Sequence, residues 1–171
     1  LFSFDTNFFH LNYQDRIGFI QKAYRDGSVK SERGNVGDAQ LSGLEVLVDV
    51  NFAKWLHLDT QEIHWNSFIN YAYIESQYTT SEIPGIVGKK VEFVPTTNLK
   101  TGIQLGYNNL ALNLQYSYVS SQFTDSSNAV EGSISGVIGQ IPAYDLLDFS
   151  GSYTLNRFKF EFGVNNLLNE A

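Results

Sequence analysis

Two sets of charged residues in this sequence have types and spacing that suggest chemistry. Seven of the eleven Lys and Arg residues, Arg16, Lys22, Arg25, Lys30, Arg33, Lys89 and Lys90, fall in two stretches without hydrophobic period. Cations grouped in this way attract anions over long range. The competing reading is that they only keep loops soluble, since Asp15, Asp26, Glu32 and Asp38 nearly cancel the first group. The second set, Glu45, Asp49, Lys100, Asp148, Lys159 and Glu161, lies inside alternating segments, on their polar side. Its chemistry is ion pairing, either from strand to strand or with a separate body packed on that side.

Other chemistries find little support. His10, His57 and His64 carry imidazoles that bind metals, but no carboxylate or thiol cluster accompanies them and the chain has no cysteine. No metal or cofactor is expected. Nucleophilic catalysis needs a nucleophile, a base and an orienting group, and no local Ser/His/Asp or Gly-x-Ser-x-Gly pattern occurs, so an enzyme is not expected. A formal net charge of −7 with no basic face disfavours nucleic acid.

The elements that carry these residues read as strands. Leu147, Phe149, Gly151, Tyr153 and Leu155 alternate with Asp148, Ser150, Ser152 and Thr154, then Asn156-Arg157 interrupts, and Phe158, Phe160, Phe162 and Val164 alternate with Lys159, Glu161, Gly163 and Asn165. Period two puts successive side chains on opposite faces, so this is a hairpin with one apolar and one polar face and a two-residue turn. Earlier strands follow the same rule: Phe9, Leu11 and Tyr13 against His10 and Asn12, with Phe4, Thr6 and Phe8 before them in the opposite phase, so that this strand's start is open; Leu44, Val46, Val48, Val50 and Phe52 against Glu45, Asp49 and Asn51; Ile63, Trp65, Ile69, Tyr71 and Tyr73 against Asn66 and Asn70. A fourth strand is expected over Val91–Gly106, with Pro95 near its start, and a fifth carries Leu110, Leu112, Leu114, Tyr116 and Tyr118 on one face.

Periodicity fails over 17–36, 79–90 and 124–140, which read as long polar loops. These alternate with short connections near 57–61, 107–109 and 156–157, so an up-and-down meander puts every long loop at one end and every tight turn at the other. No helix is required. The longest strictly apolar run is four residues, Tyr71–Ile74, against the roughly 20 needed by a membrane helix. Transmembrane strands need only about 9–11 residues, and short turns at one end with long loops at the other are the pattern of outer-membrane barrels. Aromatic residues gather toward the strand ends, among them Trp55, Tyr107, Tyr153 and Phe158 near tight turns and Tyr73, Tyr78, Tyr116, Tyr118 and Tyr144 toward long loops, as at membrane interfaces.

The expectation is therefore an all-β, antiparallel, up-and-down transmembrane β-barrel in an outer membrane, with lipid on the apolar face. Seven strands do not make an even-numbered closed barrel, and the chain starts at Leu1 rather than Met. Both suggest that residues 1–171 are a portion of a longer protein.

Three segments resemble a known family. Gly34–Asn51 (GNVGDAQLSGLEVLVDVN), Val94–Asp125 and Ile141–Ala171 are similar to the C-terminal part of the barrel in TonB-dependent outer-membrane receptors of the ferric-dicitrate and ferric-siderophore branch. The most specific pieces are Gly43-Leu44-Glu45 entering a strand and Gly163-Val164-Asn165-Asn166-Leu167-Leu168-Asn169. The resemblance implies a 22-stranded barrel whose plug domain and final strand lie outside this chain, importing ferric chelates with energy delivered by the TonB system. It also implies that Lys22, Arg25, Lys30, Arg33, Lys89 and Lys90 belong to extracellular loops that meet an anionic chelate, and that the second charged set faces the lumen or plug. A passive channel or a structural barrel without TonB coupling is the alternative.

Overall fold

The computed structural model describes residues 1–25, 27–58, 62–132 and 138–170. In chain order its elements are β1 (Phe2–Ala23), β2 (Val29–Asn51), α1 (Phe52–Trp55), β3 (Ile63–Thr80), β4 (Thr97–Tyr107), β5 (Leu110–Val119), β6 (Gln122–Phe123), β7 (Gln140–Ile141), β8 (Tyr144–Leu155) and β9 (Phe158–Val164). Seven of them form one sheet in the order β1-β2-β3-β4-β5-β8-β9, while β6 and β7 pair separately inside the connection from β5 to β8. Every ladder in the sheet is antiparallel. This is the expected seven-strand meander.

Cross-strand partners share a face, so the register fixes which residues stand together. On one face Phe4, Val48, Ile69 and Thr101 lie in one row and Leu105, Leu112, Gly151 and Phe162 in another. That face is apolar from β1 to β9. Its side chains are not a protein core: Phe8 is 76% exposed and Phe160 57%. The buried apolar residues are Val36, Ala39, Ala53, Tyr78, Ile86 and Val91, and none belongs to the stripe.

The tight turns follow from residue chemistry. Tyr107 pairs with Leu110 and Leu155 with Phe158 across two-residue turns, in which Asn108 and Asn156 take left-handed φ of 50° and 54°. Asn tolerates that region better than most side-chain-bearing residues. The connection after β2 is less simple, and residues 59–61 of the expected 57–61 turn lie outside the described residues. Asn51 caps a single helical turn by accepting from the Lys54 N–H at 2.9 Å. Phe52 therefore leaves the β2 face it was expected to share and stacks on Trp65 at 4.9 Å. The cap decides this, because it ends the ladder at Asn51.

Three further expectations are corrected. Residues 17–36 are not a long loop: β1 and β2 stay paired from Phe2↔Val50 to Ala23↔Val29, with irregularities around Tyr13, Arg16 and Ile17, where Asp15 has φ 51°. Alternation disappears there because both faces of the projecting hairpin meet polar surroundings or packed loop, not because pairing ends. The fourth strand begins at Thr97, and residues 91–96 run beside β3 outside the ladder; Pro95, which has no N–H to donate, precedes its start. In β1 the belt phase is carried by Phe2, Phe4 and Phe8, opposite Val50, Val48 and Leu44, while Phe9, Leu11 and Tyr13 share the other face. Phe9 fits there because Gly43 leaves its ring room. His10 consequently sits on the apolar belt's side, one row beyond Phe8, rather than on the polar face.

Candidate functional site

The polar face is the first candidate surface. Its register brings Glu45, Asp49, Lys100, Asp148, Lys159 and Glu161 to the same side of the sheet. They do not form one cluster. Glu45 accepts from the Asn7 amide at 3.2 Å, Asp148 accepts from the Asn166 N–H at 2.9 Å, and Lys159 pairs with Glu161 two residues along the same strand. Lys100 stands between Asn70 and Ser117. Toward the tight turns the face carries a recess of about 680 Å³. Asn66, Gln104, Asn113, Ser150 and Glu161 are among the residues lining it. Amides and hydroxyls share this lining with Leu105, Leu112 and Phe162, and the mixture suits an interior that meets water or another protein surface.

The second candidate surface is the end bearing the long connections. Ala39 pairs with Tyr78 and Leu41 with Ser76 on the polar side of β2 and β3. There the segment 81–96 folds back, so that Val36, Ala39, Tyr78, Ile86 and Val91 make a small core, with Ile20, Leu41, Ile83 and Val94 packed around it. This core lies beyond the belt, whose last full row contains Phe8, Leu44 and Tyr73.

Inside it sits a carboxylate, Glu92, only 2% exposed. It accepts a 2.6 Å hydrogen bond from the Tyr78 hydroxyl and faces the Arg16 guanidinium at 3.8 Å. Burial, and after it the neighbouring Glu92, pushes the Tyr78 phenol well above its ordinary value. A Cβ at Gly18 would fall onto the Glu92 carboxylate, so glycine makes the seat. Sequence reading missed Glu92; its position between Val91 and Phe93-Val94 was the available signal of burial. Close by, Asp38 accepts from the Asp15 N–H at 3.0 Å and the Thr80 hydroxyl at 2.8 Å. These bonds hold its carboxyl below the usual value, the Asp15 N–H contributing most.

The six basic candidates are not gathered into one pocket. Lys22 and Lys30 stand opposite each other. Lys22 reaches Glu32 at 3.4 Å, Lys30 lies 4.9 Å from the Tyr24 ring centre, and the Tyr24 hydroxyl donates to Glu32. Arg33 lies on the hairpin's other face, 5.7 Å from the Phe19 ring. Lys90 donates to the Thr96 hydroxyl at 2.9 Å. Arg25 is at the hairpin tip, beside Asp26, which is outside the described residues. Lys89 is exposed, and its backbone is fixed at both ends: its N–H donates to Ile86 and its carbonyl accepts from Tyr78. Part of the third long connection, residues 133–137, is likewise outside the described residues.

His10 bonds to Ser42 at 2.9 Å and to the Gln40 amide at 3.1 Å. His64 lines the polar recess, and His57 adopts φ 55° after α1. Among the described residues no group of three or more His, Asp or Glu is disposed to hold a metal ion.

Comparison with known proteins bears on the fold. Among solved structures, the ferric citrate transporter FecA in its unliganded form superposes with a TM-score of 0.76 at 22% identity, over 99% of this chain and 24% of that one. The siderophore receptor PiuA from Acinetobacter baumannii gives 0.66 at 17% identity, covering 99% and 22%. The ferric-catecholate import receptor Fiu from E. coli K12 gives 0.65 at 16%, covering 99% and 21%. This chain thus spans about a quarter of the length of the first of these. No curated protein matches by sequence. The model of the TonB dependent receptor-like β-barrel family matches residues 1–167, and the chain belongs to that family.

Proposed function

We propose that this chain is part of the barrel of a TonB-dependent outer-membrane receptor that imports ferric chelates, either a siderophore complex or ferric citrate. The observation that carries the reading is the family match over residues 1–167. The similarity to a ferric citrate transporter and to siderophore receptors suggests the substrate class. The faces suit a membrane wall: a continuous exposed apolar stripe for lipid, and an amide- and hydroxyl-rich face for the lumen.

On this reading the end with the long connections is extracellular, and the tight turns at 108–109 and 156–157 face the periplasm. Glu45, Asp49, Lys100, Asp148, Lys159 and Glu161 face the lumen or a plug domain outside this chain, through which the TonB system acts. Lys22, Arg25, Lys30, Arg33, Lys89 and Lys90 supply positive charge around the mouth, which steers an anionic chelate by long-range attraction. Residues 1–171 are then the C-terminal portion of the barrel.

The test is uptake of labelled ferric citrate and of ferric siderophores by cells with and without the full-length gene, each in the presence and absence of the TonB system. Uptake lost with either deletion supports the reading. Uptake that needs the barrel but not TonB supports a passive channel, and uptake unchanged by gene deletion removes the iron assignment.

A further inference from the structure

The connection after β2 is built unlike the other two tight turns, which are two residues long. It is a helical turn closed at both ends. Asn51 accepts the Lys54 N–H at its start, and at its end the Leu58 N–H donates to the Ala53 carbonyl at 2.8 Å across His57, whose φ is 55°. Ala53 is buried, so the turn presents a fixed outer side, and that side is apolar: Trp55 is 59% exposed, Leu56 49% and Leu58 41%. Ring contacts place α1 on the belt side of the sheet. Phe52 stacks on Trp65, which stands opposite Leu105 of the belt, and Trp55 leans on Phe52 at 5.5 Å. Trp55 also closes a groove of about 310 Å³ with Leu1, Phe2 and Val50, at the last paired row of β1 and β2. The apolar stripe therefore runs on past the end of the ladder and over α1. The two indoles differ: the Trp65 N–H donates to the Ser67 hydroxyl at 3.3 Å, while the Trp55 N–H has no protein partner among the described residues. Lys54, next to Trp55 in the turn, is exposed.

We propose that α1 is a phospholipid seat: the groove beneath Trp55 takes part of one acyl chain from the leaflet on the tight-turn side, the Trp55 N–H meets that lipid's ester or phosphate oxygens, and Lys54 meets its phosphate charge. The seat rests on the reading above in one respect only, that the apolar stripe faces lipid. An indole has an apolar body and one donor, which suits the boundary between hydrocarbon and headgroups. A lysine beside it extends its stem along apolar surface and keeps its ammonium at the phosphates. Continuity favours lipid over a protein as the occupant. The floor of the groove, Phe2 and Val50, is the stripe itself, so a protein docked there would have to reach from water into hydrocarbon. Because α1 is closed at both ends before any lipid arrives, little ordering cost opposes binding.

The experiment uses the full-length protein in bilayers of phosphatidylcholine whose acyl chains carry bromine either near the glycerol or near the chain end. The fluorescence of Trp55 is read as the difference between wild type and Trp55→Phe, with Trp55→Tyr as the reference if Trp55→Phe does not fold. Bromine near the glycerol should quench Trp55 at least about twofold more than bromine near the chain end, since interfacial indoles lie at headgroup level, and aqueous iodide should quench it little. In mixtures with brominated phosphatidylglycerol, the same quenching gives that lipid's binding constant at Trp55 relative to phosphatidylcholine. Lys54→Gln should lower this ratio by about fivefold, one lysine's share of the attraction to an anionic lipid surface. Quenching by iodide but by neither bromolipid leaves α1 in water, and quenching by no agent puts a protein surface over it; either result overturns the seat. A ratio unchanged in Lys54→Gln overturns the headgroup contact. Leu112→Trp, made in the Trp55→Phe background, reports the belt separately. If bromine near the chain end quenches it while no bromolipid quenches Trp55, the seat alone fails. If bromolipids quench neither, the reading of the stripe as a membrane wall fails and the seat fails with it.

Discussion

The belted half of the molecule, β4 to β9, and the projecting half, the upper parts of β1 to β3 with segment 81–96, are made from the same ladders but obey different rules. In the belted half strands of 11, 10, 12 and 7 residues alternate apolar and polar with hardly a break, and no apolar side chain of these four strands is buried among the described residues. In the projecting half strands of 22, 23 and 18 residues lose alternation past the Leu44–Tyr73 row, acquire register shifts, and enclose a core. Alternation is imposed where a sheet separates two media of different polarity. On the proposed reading both sides are aqueous beyond the belt, and apolar residues are then buried only by loops folding back, as in a soluble domain.

Two tyrosines five residues apart on β3 expose this contrast most sharply. Tyr78 is fully buried and Tyr73 is 41% exposed on the belt. Tyr78→Ala should destabilise the projecting half by about 3–5 kcal/mol, the usual cost of emptying an aromatic site in a core, whereas Tyr73→Ala should cost about 1 kcal/mol in a bilayer. Denaturant titration of the full-length barrel, read by fluorescence and by protease nicking of segment 81–96, separates the two. Equal effects would mean that the distinction between halves is false.

Charge insertion tests the same boundary from the outer face. Val48→Arg and Leu112→Arg should each cost about 2–4 kcal/mol in folding into bilayers, the penalty for arginine near a lipid midplane. Gln77→Arg, on the same face as Val48 but beyond the belt, should change stability by no more than about 0.5 kcal/mol. A large penalty at Gln77, or none at Val48, would move the boundary.

A smaller effect is expected at the tight turns. Asn156 has φ 54°, so Asn156→Ala should cost about 1 kcal/mol and Asn156→Gly should be nearly neutral. Chemical denaturation of the three proteins side by side checks the ordering.

How far the sequence disclosed these features follows the same division. Across β4 to β9 period two gave both faces correctly, down to Lys159 and Glu161 beside Phe158 and Phe160. Where one face is apolar throughout and the other polar, as the proposed reading with lipid on one side requires, polarity records geometry. The hairpin at 17–36 was misread as a loop because its residues answer to local partners such as Phe19 and Arg33 or Lys22 and Glu32. In β1 the sequence holds two opposite phases, and the one marked by Phe9, Leu11 and Tyr13 does not follow the belt because Phe9 occupies space that Gly43 leaves on the polar face. The basic residues were visible as a cluster along the chain, but their dispersal onto Glu32, Tyr24, Phe19 and Thr96 depends on cross-strand register and loop packing, which composition does not encode. Glu92 was hidden for a related reason: one acid in an apolar run does not say whether Arg16, 76 positions earlier, lies beside it.

The gentlest probe of the projecting half is pH, through Asp38. The Asp15 N–H and the Thr80 hydroxyl both bond the ionised carboxylate, so the folded group titrates below its ordinary value near 3.8. A depressed folded value means that ionised Asp38 contributes to stability above the ordinary value and that the contribution is lost as pH falls through the folded one. Asp38 also stands where β2 shifts register against β3, and Asp15 where β1 shifts against β2, so its protonation should loosen those irregularities before it affects any belt strand. Below pH of about 4, exchange at the Asp15 amide, corrected for its intrinsic pH dependence, should accelerate while exchange at the belt amides of β4 and β5 stays constant. Asp38→Asn keeps an acceptor oxygen but has no proton to gain, and it should flatten the response. If Asp38 titrates at its ordinary value, or the Asp15 amide is as indifferent to acid as the belt, the carboxylate does not fasten the bulge and the two halves differ in packing alone.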